Sequence, residues 1–242
     1  MDTNGTSNKY FLPVAVILAG LFIAGAVIWN GSHPSTGSTG SPQAGAPVIN
    51  IKDVKTDGDP YIGQANAPVT VAFWSDFQCT YCKAFEVGGV QQITRPAAFP
   101  DIIKNYVDTG KVKIVFMDFA FLGNDSITGA AYGRAVWKLY PDKYFAWRTA
   151  MYTAQDQEGD QGFGNAASID KLDATIAGID AAKVAADVKA NMTSYQAMMD
   201  ADKVEAAKVG IDATPSFVIG TQVIAGAYPY ATFQSALDVL LK

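Results

Sequence analysis

Residues 69–86 read VTVAFWSDFQCTYCKAFE. The first six, Val69 to Trp74, are a short continuous run of apolar and β-branched side chains, which predicts a buried strand. The run ends at Ser75, Asp76, Phe77 and Gln78, and Cys79-Thr80-Tyr81-Cys82 follows at once. A strand that turns directly into a helix places Cys79 in the first helical turn and Cys82 one turn later on nearly the same face. Backbone N–H groups and the positive end of the helix dipole then point at Cys79, which favours its thiolate and lowers its pKa. The spacing supplies an activated outer sulfur and an inner sulfur within bonding reach.

Other uses of a C-x-x-C pair fit this chain less well. A zinc site takes about four ligands, and these are the chain's two cysteines, with its one histidine, His33, far away. A purely structural bridge over four residues removes little entropy from the unfolded chain. Reversible redox chemistry is the remaining reading, set against chance pairing or an inert disulfide.

Outward from this stretch, residues 112–119 (VKIVFMDF) predict a second buried strand. Residues 216–219 (SFVI) and 222–225 (QVIA) are two short apolar runs joined by Gly220-Thr221, and glycine first in a two-residue loop suits a type II′ hairpin. Phe233, Ala236, Leu237, Leu240 and Leu241 repeat as one face of a C-terminal helix. The stretch between Cys82 and Pro215 is far longer than one strand and one crossover helix require. Val184, Val188, Met192, Tyr195 and Met199 mark a helix within it, with Gly210 placed to cap that helix or one following it. The methionines read as core filler.

Composition bounds the class. The chain has 242 residues, 49% hydrophobic and 17% charged, with a formal net charge of −5, which excludes a disordered polymer and a basic nucleic-acid binder. Two cysteines exclude a disulfide scaffold, and with a single histidine any Ser-His-Asp or Cys-His site would depend on His33. Between Lys9 and Lys52 nothing is charged except His33 when protonated. Residues 10–29 (YFLPVAVILAGLFIAGAVIW) are apolar throughout, and at about 1.5 Å per residue they match a hydrocarbon core of roughly 30 Å as one transmembrane helix. A cleaved signal peptide, with Ala24-Gly25-Ala26 as the small-x-small site, is the alternative and would give a secreted form. Lys9 before the span and no cation close after it place residues 1–9 in the cytoplasm and the remainder outside, as a single-pass membrane protein. Residues 30–47 are rich in Gly, Ser, Thr and Pro and read as a flexible linker in which His33 is a solvated side chain. Residues 48–242 hold both cysteines and form the globular unit.

These residues resemble the DsbA-like thioredoxin-fold proteins, in particular the membrane-anchored thiol-disulfide oxidoreductases of bacteria. The resemblance rests on Asp59-Pro60 with Gly63, on Ala67-Pro68-Val69-Thr70-Val71, on residues 75–83 around the cysteines, and on residues 213–220 (ATPSFVIG) followed by Gly226. It implies an α/β thioredoxin fold with a helical domain inserted at roughly residues 123–209. It also implies that Cys79 is the attacking cysteine, Cys82 the resolving one and Thr214-Pro215 a substrate-binding loop with Pro215 cis beside the redox-active disulfide. No metal and no organic cofactor are expected. The expected partners are exported proteins with cysteine thiols, a redox protein that recharges the CxxC, and the lipid bilayer through residues 10–29; nucleic acid is not expected.

The chain departs from the family's pattern at two places. Thr80-Tyr81 stands where the family's oxidants often have proline and histidine, or proline and tyrosine, and without an imidazole there Cys79 lacks one source of thiolate stabilisation. Phe73 stands six residues before Cys79, where many relatives have a buried acid, and Asp76 is nearer in sequence. The expected function is exchange of a Cys79–Cys82 disulfide with dithiols of extracytoplasmic proteins, as an oxidase. The alternatives are a reductase or isomerase of the same fold, or a non-enzymatic anchored binding module with an inert disulfide.

Overall fold

The computed structural model describes residues 49–156 and 162–242. The expected anchor at 10–29, the linker at 30–47 and the cytoplasmic segment 1–9 lie outside the described residues. Among the described residues no helix is long and apolar enough to cross a membrane.

The described residues form five strands in one sheet: β1 (Tyr61–Ile62), β2 (Val69–Ser75), β3 (Val112–Asp118), β4 (Ser216–Ile219) and β5 (Gln222–Ala225). Their order is β1-β3-β2-β4-β5. Strands β2 and β3 run parallel, and the pairs β1/β3, β2/β4 and β4/β5 are antiparallel. Seven α-helices accompany them: α1 (Thr80–Glu86), α2 (Phe99–Ile102), α3 (Asn124–Leu139), α4 (Tyr144–Ala154), α5 (Ala166–Asp173), α6 (Ala181–Lys208) and α7 (Tyr230–Leu240). A π-helical turn, Ile103–Val107, continues α2. Four of the helices, α3 to α6, stand in sequence between β3 and β4.

The apolar run at β2 is continuous because both faces of the strand are buried. On one face Phe73 pairs in register with Phe116 and Phe217, and its ring stacks on Phe217 at 4.4 Å and meets Phe85 of α1 edge-on at 5.4 Å. Phe233 of α7 closes the cluster at 4.8 Å from Phe217 and 5.1 Å from Phe85. On the other face Ala72 and Trp74 join Val115, Met117 and Val218 under Ala206 and Val209 at the end of α6. Full burial of each large side chain is worth about 1.5–3 kcal/mol, so this two-sided core fixes where the end of β2 sits.

The periodicity read at Val184 to Met199 belongs to the 28-residue α6: Val184, Tyr195 and Met199 are buried, and Val188 and Met192 pack against the same core. Asp180 caps its first turn by accepting from the Lys183 N–H at 3.1 Å. Gly210, at φ +72°, supplies the left-handed residue beyond its end, and Gly220, at φ +61°, occupies the first position of the β4/β5 turn, as a primed turn requires. A buried arginine ties these elements together. Arg134 of α3 donates from Nη1 to Asp59 at 2.5 Å, from Nε to Asp118 at 2.6 Å, and from Nη2 to Asp202 of α6.

Candidate active site

Where β2 ends, Asp76 organises the turn that delivers the cysteines. Its carboxylate accepts from the Gln78 N–H at 2.8 Å, the Ser126 hydroxyl at 2.7 Å and the Phe121 and Leu122 N–H groups at 2.9 and 3.3 Å. Its carbonyl accepts from the Cys79 N–H at 3.1 Å and from the Tyr152 hydroxyl at 3.2 Å. Burial pushes the Asp76 carboxyl up and those donors pull it back. The carboxylate is therefore committed to holding two loops, and what Asp76 offers Cys82 is its backbone N–H.

Cys79 is the N-cap of α1, in an extended conformation, and Cys82 lies inside the helix. Both are free thiols; Cys79 is 4% exposed and Cys82 wholly enclosed. The pKa values of the two adjacent sulfurs are displaced in opposite directions. Cys79 is held below the ordinary thiol range, first by a hydrogen bond from Cys82 and then, against its burial, by Thr214 and the N–H groups of Cys82 and Tyr81. Cys82 is pushed well up by burial, and further by its hydrogen bond to Cys79 and the charge there.

The Thr214-Pro215 peptide bond is cis, and the Cys79 thiol donates to the Thr214 carbonyl at 3.5 Å. The structure thus brings Cys79, Cys82 and the Thr214-Pro215 loop together across 135 residues of sequence. The Thr214 hydroxyl is buried and has no partner of hydrogen-bonding geometry, yet it lies close enough to both sulfurs to favour their anions.

Several groups at the site left no mark in the sequence pattern. Gln155, which caps the end of α4, donates from Nε2 to the carbonyls of Phe77 at 2.6 Å and Cys79 at 3.2 Å. Its own carbonyl accepts from Lys83 Nζ at 2.5 Å. Behind α1, where the sequence puts Phe73 in place of an acid, lies a buried ion pair. Arg148 of α4 grips Glu86 of α1 from Nε at 3.0 and 3.1 Å and from Nη2 at 2.5 Å, donates to Ser75 Oγ at 2.8 Å, and lies over the Phe116 ring at 4.1 Å. Burial pushes Glu86 up on balance, and the guanidinium, bonded to both of its oxygens, pulls it back. Neither residue shows a periodicity or a motif that would have singled it out. Among the described residues no group of acidic, histidine or cysteine side chains is arranged to hold a metal ion.

Residues 55–239 match the thioredoxin family. The disulfide bond formation protein D of Bacillus subtilis is 26% identical over 185 residues, spanning 76% of this chain and 78% of that protein. The crystal structure of oxidised BdbD from Bacillus subtilis superposes with a TM-score of 0.68 at 23% identity, covering 81% of this chain and 98% of the other. The thiol-disulfide exchange protein alpha-DsbA2 of Wolbachia pipientis gives 0.61 at 26% identity, covering 75% and 87%. A sheet of this order, a family match across nearly all of the described chain and relatives named for disulfide formation agree: the chain belongs to the thioredoxin family, has the thioredoxin fold, and is a thiol-disulfide oxidoreductase.

Proposed function

We propose that this enzyme works as an oxidase, introducing disulfides into exported proteins through Cys79 and Cys82, with Thr214 and Pro215 forming the substrate-binding loop. The opposed shifts of the two sulfurs carry this reading. A stabilised Cys79 thiolate stabilises the reduced enzyme, and a stabilised reduced form makes the disulfide a stronger oxidant.

In the oxidising direction a substrate thiolate attacks Cys79 Sγ of the Cys79–Cys82 disulfide. The S–S bond breaks, its electron pair goes to Cys82, and the enclosed Cys82 takes up a proton, because burial disfavours its anion. The substrate's second thiolate then attacks the substrate sulfur of the mixed disulfide, and Cys79 departs as the thiolate. Two electrons have passed from substrate dithiol to enzyme, and a redox partner removes them to recharge the site. In that reverse step Cys79 is the attacking nucleophile.

The apolar residues 10–29 support a membrane anchor, with residues 1–9 cytoplasmic, 30–47 as tether and the domain 48–242 outside the cell. Helices α3 to α6, which stand in sequence between β3 and β4, support the reading of an inserted helical domain at roughly 123–209. Equilibration of residues 48–242 with glutathione buffers tests the direction. The expected potential is above thioredoxin's value of about −270 mV and, without a histidine between the cysteines, below DsbA's value of about −120 mV. A value at or below that of thioredoxin would mark a reductase. In the same protein Cys82→Ser should accumulate mixed disulfides through Cys79, and equal trapping by Cys79→Ser would reverse the assigned roles.

A further inference from the structure

The segment that joins α1 to α2, residues 87–98, lies against both flanks of the CxxC helix. Gly89, Gln91 and Gln92 share a cleft with Thr80 and Lys83. On the other flank Arg95 and Tyr81 line a cavity of about 200 Å³ whose far wall is residues 225–228, ending in Tyr228. That wall is tied to the substrate loop, because the Gly226 N–H donates to the Pro215 carbonyl at 2.7 Å. One side of the cavity thus belongs to the C-x-x-C motif and the other is hydrogen-bonded to the Thr214-Pro215 loop.

The chemistry of this cavity is lopsided. Arg95 is exposed and, among the described residues, is the one charged side chain in the lining and forms no ion pair. Tyr81 and Tyr228, 55% and 49% exposed, bring two phenols, each able to donate a hydrogen bond. Guanidinium and phenol donors together suit a carboxylate, and no acidic residue lines the cavity to compete for Arg95.

An extended substrate that pairs with the backbone at Thr214 and turns its cysteine toward Cys79 turns the residues two positions away to the same face. The Tyr81–Arg95–Tyr228 cavity adjoins both the C-x-x-C motif and the segment bonded to Pro215, the two elements such a substrate would bridge. We propose that Arg95, flanked by Tyr81 and Tyr228, selects substrates carrying Asp or Glu two residues from the reacting cysteine. This rests on the oxidase reading above and adds to it the class of sequence that is oxidised fastest.

The test uses the oxidised enzyme and reduced peptide dithiols that differ only in having Glu, Gln or Lys two residues to either side of one cysteine, with dithiothreitol as a substrate lacking side chains. The readout is the ratio of kcat/KM for the Glu peptide to that for the Lys peptide, compared between the parent enzyme and its Arg95 variants, a comparison in which the sulfur chemistry of both enzyme and peptide cancels. An exposed charge contact gives a ratio of about fivefold at low salt, falling toward one at about 1 M salt, where screening is nearly complete. Arg95→Glu should invert the ratio and Arg95→Lys should keep its direction. A ratio that stays the same in Arg95→Glu overturns the inference while leaving the oxidase reading intact. Failure of the parent enzyme to oxidise dithiothreitol or any peptide would overturn both.

Discussion

The Thr214 hydroxyl is enclosed beside two sulfurs and has nothing to bond while both are protonated. A thiolate at Cys79 gives that O–H an acceptor, so the reduced, ionised enzyme satisfies a group that the dithiol leaves unpaired. Thr214→Val keeps the shape and removes the donor. The expected result is a Cys79 pKa higher by about one unit, since a hydrogen bond to a charged group is worth about 1.5–3 kcal/mol, with a correspondingly less oxidising potential. Titration of thiolate absorbance checks it, and an unmoved midpoint would leave the hydroxyl without a role. At this scale the sequence was legible where chemistry is local: the C-x-x-C spacing and the strand before it place Cys79 and Cys82 side by side at the start of a helix, as the structure has them. Gln155 was not legible, because its contacts with the Phe77 and Cys79 carbonyls reach back more than 70 residues and no spacing rule links a lone glutamine to a distant backbone.

Among the elements, α3 and α6 are fastened to the sheet by Arg134, which faces three carboxylates at once: Asp59 before β1, Asp118 at the end of β3 and Asp202 on α6. One guanidinium cannot neutralise three carboxylates. Burial first, and for Asp202 then the neighbouring Asp118, push Asp59 up to about 6 and Asp202 up to about 8. Both values lie above the ordinary carboxylate pKa of about 4, so between about pH 4 and about pH 8 this cluster binds more protons in the folded protein than in the unfolded chain. Stability contributed by this cluster therefore falls as pH rises through that window. Melting temperature measured from about pH 5 to about pH 8.5 should decline on the alkaline side, and Asp202→Asn should flatten the decline. Arg134→Met should cost about 3–5 kcal/mol, because it leaves buried carboxylates without their cation. Strands β2 to β5 and helices α6 and α7 could be read ahead of the structure, since each has one face or both committed to the core and its periodicity shows it. The two-residue β1 is too short to carry a period, and the π-helical turn at Ile103–Val107 changes the repeat that a helix pattern is matched against.

For the whole molecule, the expectation of an anchor and a tether rests on composition. Residues 10–29 and 30–47 differ from everything after them in charge and in turn-forming residues, whereas the joining of Cys79 to Thr214 across 135 positions is a property of the sheet and emerges only from the fold. If residues 10–29 anchor the chain, protease added outside intact cells should release a fragment cut within residues 30–47 and leave the N-terminus protected. Recovery of a mature chain that begins near Val27 would show cleavage instead.

The enclosure of Cys82 one hydrogen bond from Cys79 has a consequence for survival under oxidant stress. Peroxide that reaches the Cys79 thiolate, 4% exposed at the surface, transfers one oxygen and makes a sulfenic acid. Cys82, already in contact, displaces water from it and forms the Cys79–Cys82 disulfide, which on the proposed oxidase reading is the charged form of the enzyme. Damage is thereby converted into readiness, and hydrogen peroxide becomes an alternative charging agent that needs no protein partner. Mass spectrometry after peroxide treatment should find the intact enzyme lighter by two hydrogen atoms and fully reactivated by thiols. Cys82→Ser, with no sulfur to close the ring, should instead accumulate sulfinic and sulfonic Cys79 that thiols cannot recover.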